Sequence, residues 1–143
     1  MRRRVLTAEE RWCAERRKEV RGFLAGESVR HGRIGSWPAW QVEPYVSVWA
    51  VESLARPGRV GWWVICGDLP TDYVSSARIK HPRTALRAFA KRWRAVANCM
   101  RRGRAHPTVQ LGARARWPEL EPLLRTRARL LARCANDDHA WQE

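Results

Sequence analysis

Apolar residues recur at steps of three and four residues in the second half of the chain, which predicts two amphipathic helices. The first begins at Pro82, a residue suited to a first helical turn, and ends near Gly103. Its apolar positions are Leu86, Phe89, Ala90, Trp93, Val96, Ala97 and Met100. The second begins near Pro118, and residues 104–116 connect the two. Its apolar stripe contains Leu120, Leu123, Leu124, Leu130, Leu131 and Cys134.

A different signal predicts a third helix at the start of the chain. Thr7 and Glu10 have the capping-box spacing, in which each side chain accepts a hydrogen bond from the other residue's backbone amide. A helix from about Ala8 to Leu24 follows from this start. Glycine and proline then interrupt every regular pattern, so residues 26–39 are predicted to form a loop.

The centre of the chain has the residue types of strands rather than of helices. Tyr45–Ser53 is rich in β-branched and aromatic residues, and a turn with proline and glycine separates it from a return strand over Val60–Cys66. Gly67–Thr71 is predicted to form the next turn, and Asp72–Ser76 a shorter third strand. Adjacent Trp62 and Trp63 must then point to opposite faces of the sheet, because side chains alternate along a strand.

These elements predict an α+β fold, with a short antiparallel meander of about three strands covered by three helices in the order α-β-β-β-α-α. The 143 residues suit a single domain over 1–143, with a basic N-terminal tail over residues 1–6. Apolar residues make up 45% of the chain and nine residues are tryptophan, so hydrophobic burial can offset the entropy cost of folding. Most of the tryptophans are therefore expected in the core.

Short motifs give the chain a family resemblance. They are PAW at 38–40, PYV at 44–46, GWWV at 61–64, GDLPTDY at 67–73 and HPR at 81–83. Together they resemble a family of small uncharacterised bacterial proteins that is classed as a domain of unknown function. The resemblance covers nearly the whole chain and implies a single bacterial domain. It implies no activity, cofactor or site.

The net charge is +14, and its distribution suggests a cationic surface on one helix. Residues 34–80 carry four cations and four acids, so the excess lies in the two ends of the chain. At about 100° per residue, one narrow sector of the helix that begins at Pro82 contains Arg83, Arg87, Lys91, Arg94 and Arg101. This cationic ridge is the predicted partner-binding surface, for an acidic protein or, in a second interpretation, for nucleic acid without sequence specificity. A solvated helix face is the structural alternative.

Two arginines interrupt apolar faces and suggest a possible pocket. Arg16 lies between apolar positions of the first helix, and Arg127 lies within the leucine stripe of the last. Such an arginine must extend its guanidinium to solvent, pair with a carboxylate or bind an anion, and Asp68 and Asp72 lie at one end of the sheet. The possible pocket contains Asp68, Asp72, Tyr73, His81, Arg16 and Arg127. It would serve a small-anion binder or an enzyme, although aspartate and proline are also common turn formers.

The sequence has no pairing of nucleophile and base, no phosphate-binding glycine loop and no close cysteine pairs, so no catalytic residue, metal or cofactor is predicted. No apolar stretch is long enough for an export signal or a membrane span, which predicts a cytoplasmic protein with no membrane partner. The leading hypothesis is a non-catalytic intracellular binding protein of the inhibitor, immunity or regulatory type. The identity of the partner and the oligomeric state stay open.

Overall fold

The computed structural model describes residues 4–142. The chain forms two compact units, one up to Pro82 and one from Arg83 onward. The elements are α1 (Ala8–Gly26), β1 (Trp40–Val42), β2 (Val46–Glu52), β3 (Val60–Gly67), β4 (Leu69–Ser75), α2 (Pro82–Arg101) and α3 (Trp117–Asn136), with short 3₁₀ helices at Arg114–Arg116 and Asp138–Trp141. The predicted α+β class is confirmed, with the order α-β-β-β-β-α-α. Residues 1–3 of the predicted basic tail lie outside the described residues.

Helix α1 begins where the capping box predicts. Thr7 Oγ1 accepts a hydrogen bond from the Glu10 amide at 3.0 Å, and Glu10 Oε1 accepts one from the Thr7 amide at 3.3 Å. The helix ends at Gly26, two residues beyond the predicted end. Its buried residues Cys13, Val20 and Leu24 pack in one cluster with residues of the sheet.

The sheet is an antiparallel meander of four strands in the order β1-β2-β3-β4, one strand more than predicted. The additional strand, β1, has three residues, too few to show an alternating pattern. The predicted turn over Gly67–Thr71 was too long, because β4 already begins at Leu69. Gly67 makes this tight reversal possible, since its φ of +140° is accessible almost only to glycine.

The two faces of the sheet carry different residues. One face presents Trp49, Val51, Val64 and Cys66 to α1, while Val48 and Ile65 lie on the other face and are also buried. Trp62 and Trp63 lie on opposite faces, as strand alternation requires. The expectation that most tryptophans are in the core was wrong, because only Trp49, Trp63 and Trp93 are buried; Trp37 is 44% exposed and the other five are half-buried.

The second unit contains α2 and α3. The predicted apolar stripe of α2 is buried along its whole length, from Leu86 to Met100. The predicted stripe of α3 was misplaced, because the buried residues are Leu124, Ala128, Leu131 and Ala135, whereas Leu123 and Leu130 are exposed. Two alanines complete the buried stripe, and alanine gives little signal in an apolar pattern dominated by leucine. None of the described helices is long and apolar enough to span a membrane.

Candidate functional site

The cationic ridge of α2 contacts α3 at both of its ends. Arg83 Nε donates to the carbonyl oxygen of Ala135 at 2.6 Å, and Arg87 Nη2 donates to the same oxygen at 3.4 Å. Arg83 also pairs with the carboxylate of Asp138. These arginines satisfy a backbone carbonyl at the C-terminal end of α3, where a positive charge is also favourable to the helix dipole. They hold the two helices together.

Arg101, at the other end of the ridge, belongs to an ion-pair network. Its Nη2 lies 3.0 Å from Glu121 Oε1, which Arg125 also contacts at 2.8 Å. Arg125 Nη2 donates in turn to Asn98 Oδ1 at 3.0 Å, which links α3 back to α2. Glu121 and Arg125 are 14% and 15% exposed, so solvent screens this network less than it screens a surface pair.

The middle of the ridge forms a cationic cleft between α2 and α3. The cleft has a volume of about 190 Å³ and is lined by Arg87, Lys91 and Arg94, together with Ala90, Ala132 and Asn136. No carboxylate lines it. Lys91 and Arg94 are exposed, and their side chains make no hydrogen bond or ion pair with the described residues. These two cations are therefore available to a partner. We call this feature the α2–α3 cleft.

The predicted pocket residues in the first unit lie on both faces of the sheet. Tyr73 pairs with Val64 and packs edge-on against Phe23 of α1, so it belongs to the α1 side. Asp72, its neighbour along β4, therefore points to the opposite face, where it is 3% exposed and accepts a hydrogen bond from the Tyr73 amide at 2.8 Å. Asp68 is exposed in the β3–β4 turn, and its amide donates to Tyr45 at 2.7 Å.

Arg16 lies on the α1 side of the sheet, so the structure does not bring it together with Asp72. Its Nε lies 3.1 Å from Glu19 Oε2, at ion-pair distance, but is buried without a hydrogen-bond partner. Its guanidinium also lies over the ring of Trp12 at 5.6 Å. His81 is exposed at the end of the first unit, and Arg127 is a half-buried residue of α3. Arg16 thus finds its counter-charge on its own helix rather than in the GDLPTDY segment.

Sequence reasoning missed a second cationic region, around the β2–β3 hairpin. Arg56, Arg59 and Lys80 line one cleft there, although residues 34–80 carry equal numbers of cations and acids. The net charge of the segment is zero and so does not reveal the cluster, because the acids of the segment lie outside this cleft. The alternation of strand and turn could have placed Arg56 and Arg59 at one hairpin end, but Lys80 arrives there only through the fold.

Glu52 connects the same hairpin to the segment that follows α1. Its Oε2 accepts a hydrogen bond from the Gly58 amide at 2.9 Å, and its Oε1 accepts one from the Arg33 amide at 3.2 Å. These bonds favour the charged form and lower the pKa of Glu52 below its ordinary value of 4.5. Gly32 packs against this side chain so closely that a Cβ there would overlap it.

The lowered pKa of Glu52 predicts a pH-dependent contribution to stability. A carboxyl with a lower pKa when folded stabilises the protein above its unfolded pKa, and the effect disappears as the pH falls through the folded value. We expect Glu52→Gln to lower the urea midpoint at pH 7 and to change it little near pH 2. The exposed Glu27→Gln is the control, with no such difference expected. An equal effect of Glu52→Gln at both pH values would contradict this account.

Burial makes three of the four cysteine thiols less acidic, and therefore less reactive as nucleophiles. Burial raises the pKa of the Cys66 thiol to about 11, and burial also raises the pKa of Cys13 and Cys134. All four cysteines are unpaired, and none is part of a cluster with ligand geometry, since residues 4–142 contain no group of three or more histidine, cysteine or acidic side chains placed to hold a metal ion.

Comparison with known proteins identifies the family of the chain. Residues 7–141 match the model of a domain of unknown function, DUF4826. Neither a curated protein nor a solved structure matches the chain. The matched range includes every helix and strand of both units.

Proposed function

Since the chain belongs to the DUF4826 family, whose function is unknown, its role must be inferred from its own residues, and we propose a non-catalytic binding protein that docks an acidic protein. The docking surface is the α2–α3 cleft. The observation that carries the proposal is the exposure of Lys91 and Arg94 without a counter-charge beside a cleft that has no carboxylate. Inhibitors, immunity factors and small regulators act by such docking.

The dimensions of the cleft favour side chains of a partner over a small ligand. Its volume of about 190 Å³ is below the range of about 300–1,000 Å³ typical of small-molecule sites. Lys91 and Arg94 are three residues apart on α2, which corresponds to a rise of about 4.5 Å. Carboxylates three or four residues apart on an acidic helix have a similar spacing, so such a helix can pair with both cations.

Nucleic acid is the second candidate, and the contacts of the ridge count against it. Arg83, Arg87 and Arg101 already bond to α3, so fewer cations of the ridge can neutralise phosphates than the sequence suggests. Affinity for a duplex grows with the number of phosphates neutralised, each adding about 0.9 to the salt slope. Lys91 and Arg94 alone would give a shallow slope and weak binding.

The proposed location is the cytoplasm. All four cysteines are unpaired, and two of them, Cys13 and Cys66, are buried among apolar residues. Unpaired cysteines are typical of a reducing compartment, since exported proteins tend to form disulfides.

The cleft is tested with a labelled helical peptide of alanine and glutamate, with glutamate at every fourth position. We expect the double variant Lys91→Glu, Arg94→Glu to weaken peptide binding at least about tenfold in fluorescence anisotropy, because each lost charge pair is replaced by a repulsion. The matched control is Arg102→Glu with Arg129→Glu, which changes the net charge equally at exposed positions outside the cleft. The same peptide with glutamine measures binding without charge.

An equal loss in both double variants would show that only net charge matters, and would contradict docking at the cleft. A 20-base-pair duplex tested at the same salt concentrations separates the second candidate. Tighter binding of the duplex than of the peptide, with a steep salt slope, would favour nucleic acid.

A further inference from the structure

The turn end of the β2–β3 hairpin and the end of β4 border a cleft of about 660 Å³ in the first unit. We call it the hairpin cleft. It lies outside the proposed docking surface and differs from it in size, since its volume falls within the range of about 300–1,000 Å³ of small-molecule sites. Its lining combines cations, hydroxyls and aromatic rings.

The hairpin cleft has three cations and no acid in its lining. The guanidinium groups of Arg56 and Arg59 are exposed and make no hydrogen bond or ion pair with the described residues. Lys80 Nζ donates to the Ser76 carbonyl at 3.1 Å, which leaves two of its N–H groups unused. Three cations on one cleft repel one another, and a bound anion would offset that repulsion.

Two serines add hydroxyl donors to the same cleft. Ser53 Oγ accepts a hydrogen bond from the Arg56 amide at 3.2 Å, and Ser75 Oγ accepts one from the Ala77 amide at 3.2 Å. Each hydroxyl is oriented as an acceptor toward the backbone, so its own hydrogen is left to donate. Guanidinium, ammonium and hydroxyl donors together suit the oxygens of a phosphate group.

Trp62 supplies a flat apolar wall. The ring is half-buried and is held edge-on against Tyr73, with ring centroids 6.1 Å apart. Its Nε1–H makes no hydrogen bond with the described residues. The neighbouring Trp63, by contrast, donates its Nε1–H to the Ile79 carbonyl at 2.8 Å and is buried. Of the two indoles, that of Trp62 is therefore the one that a planar ring of a ligand can contact.

The shape of the cleft depends on Gly61. A Cβ at this position would lie 2.8 Å from Ser53 Cα, closer than packed atoms approach. The backbones of β2 and β3 thus meet closely beside the bulge between Val51 and Glu52. Ser76 is buried and also lines the cleft, and its hydroxyl donates a hydrogen bond to the Val60 carbonyl.

From these contacts we propose that the hairpin cleft binds a small phosphorylated ligand with a flat ring, of the nucleotide class. The phosphate lies among Arg56, Arg59 and Lys80, and the ring lies against Trp62. The inference concerns a different unit from the docking surface, so either proposal can fail without the other.

The test uses isothermal titration calorimetry with adenosine monophosphate as the probe. We expect saturable binding with one site per chain. Adenosine lacks the phosphate and inorganic phosphate lacks the ring, so each is expected to bind at least about tenfold more weakly. Arg59→Gln is expected to weaken binding of the nucleotide at least about tenfold, since it removes a charged donor. Arg78→Gln removes the same charge at an exposed position outside the cleft and is expected to change affinity less than about twofold.

Circular dichroism melts of Arg59→Gln and Arg78→Gln, with unchanged midpoints expected, check that both variants retain the fold. Absence of saturable binding of the nucleotide to the wild-type protein overturns the proposal. An equal loss for Arg59→Gln and Arg78→Gln overturns it as well, since only overall charge would then matter. Equal affinity for inorganic phosphate and for the nucleotide would exclude the ring from recognition and contradict the proposed class.

Discussion

Replacing Trp49 with alanine is expected to lower the free energy of unfolding by about 3–5 kcal/mol, the range for removing a large aromatic from a core. Trp49 has no exposed surface and lies in the cluster shared by α1 and the sheet. Its Nε1 donates to Ser47 Oγ at 2.9 Å, and that hydroxyl donates to the Cys66 carbonyl at 3.1 Å. The substitution creates a cavity and also removes one partner of a fully buried hydroxyl.

The matched control is Trp37→Ala, since Trp37 is 44% exposed. Its expected cost is about 1 kcal/mol or less, because little buried surface is lost. Urea unfolding followed by far-UV circular dichroism measures both variants without relying on the indole signal. Similar midpoints for the two variants would show that the α1–sheet cluster contributes much less to stability than its burial implies.

Gly67→Ala is the second substitution with a large expected effect, about 3 kcal/mol or more. The φ of +140° at this position strains any residue with a side chain, which costs about 1–3 kcal/mol. A Cβ would in addition overlap the carbonyl oxygen of Tyr45, which accepts the hydrogen bond of the Asp68 amide. The atoms nearest this Cβ position all belong to the backbone of Tyr45 and Val46, so no flexible side chain can move to make room.

Two other glycines separate the sources of this cost. Gly58 also has a positive φ, of +82°, but nothing lies within 4 Å of its Cβ position, so Gly58→Ala should show backbone strain alone, about 1–2 kcal/mol. Gly22 lies in α1 with open space around it, and Gly22→Ala should stabilise the protein by about 0.5–1 kcal/mol. The same urea experiment measures all three. A cost for Gly67→Ala no larger than that for Gly58→Ala would contradict the overlap with Tyr45.

The sequence correctly predicted the elements that carry a clear local signal. Helix α1 has a capping box and α2 has a long stripe at a helical period, and both begin where predicted. In α3 the leucines permit two neighbouring stripes, and the choice between them depends on which face finds a partner. Strand β1 is defined by its pairing with β2 rather than by its own three residues. The buried face of α3 and the pairing of β1 both depend on contacts between elements, which a local sequence pattern does not contain.

The candidate surfaces show the same limit. Helical geometry predicts that Arg83, Arg87 and Lys91 share a sector, but not that the Ala135 carbonyl accepts hydrogen bonds from the first two. The hairpin cleft unites Arg56 and Arg59 with a lysine more than twenty positions along the chain. A composition sum treats these cations as balanced by acids, whereas the fold leaves every acid of the segment outside the lining of this cleft.

The buried thiol of Cys66 has a consequence for measuring motion in the first unit. Its sulfur has no solvent contact, and its high pKa keeps it protonated at neutral pH, so an alkylating reagent cannot modify it in the folded state. Modification requires α1 to separate from the sheet. The rate at which Cys66 becomes labelled therefore measures how often α1 separates from the sheet under native conditions, which is a local unfolding event.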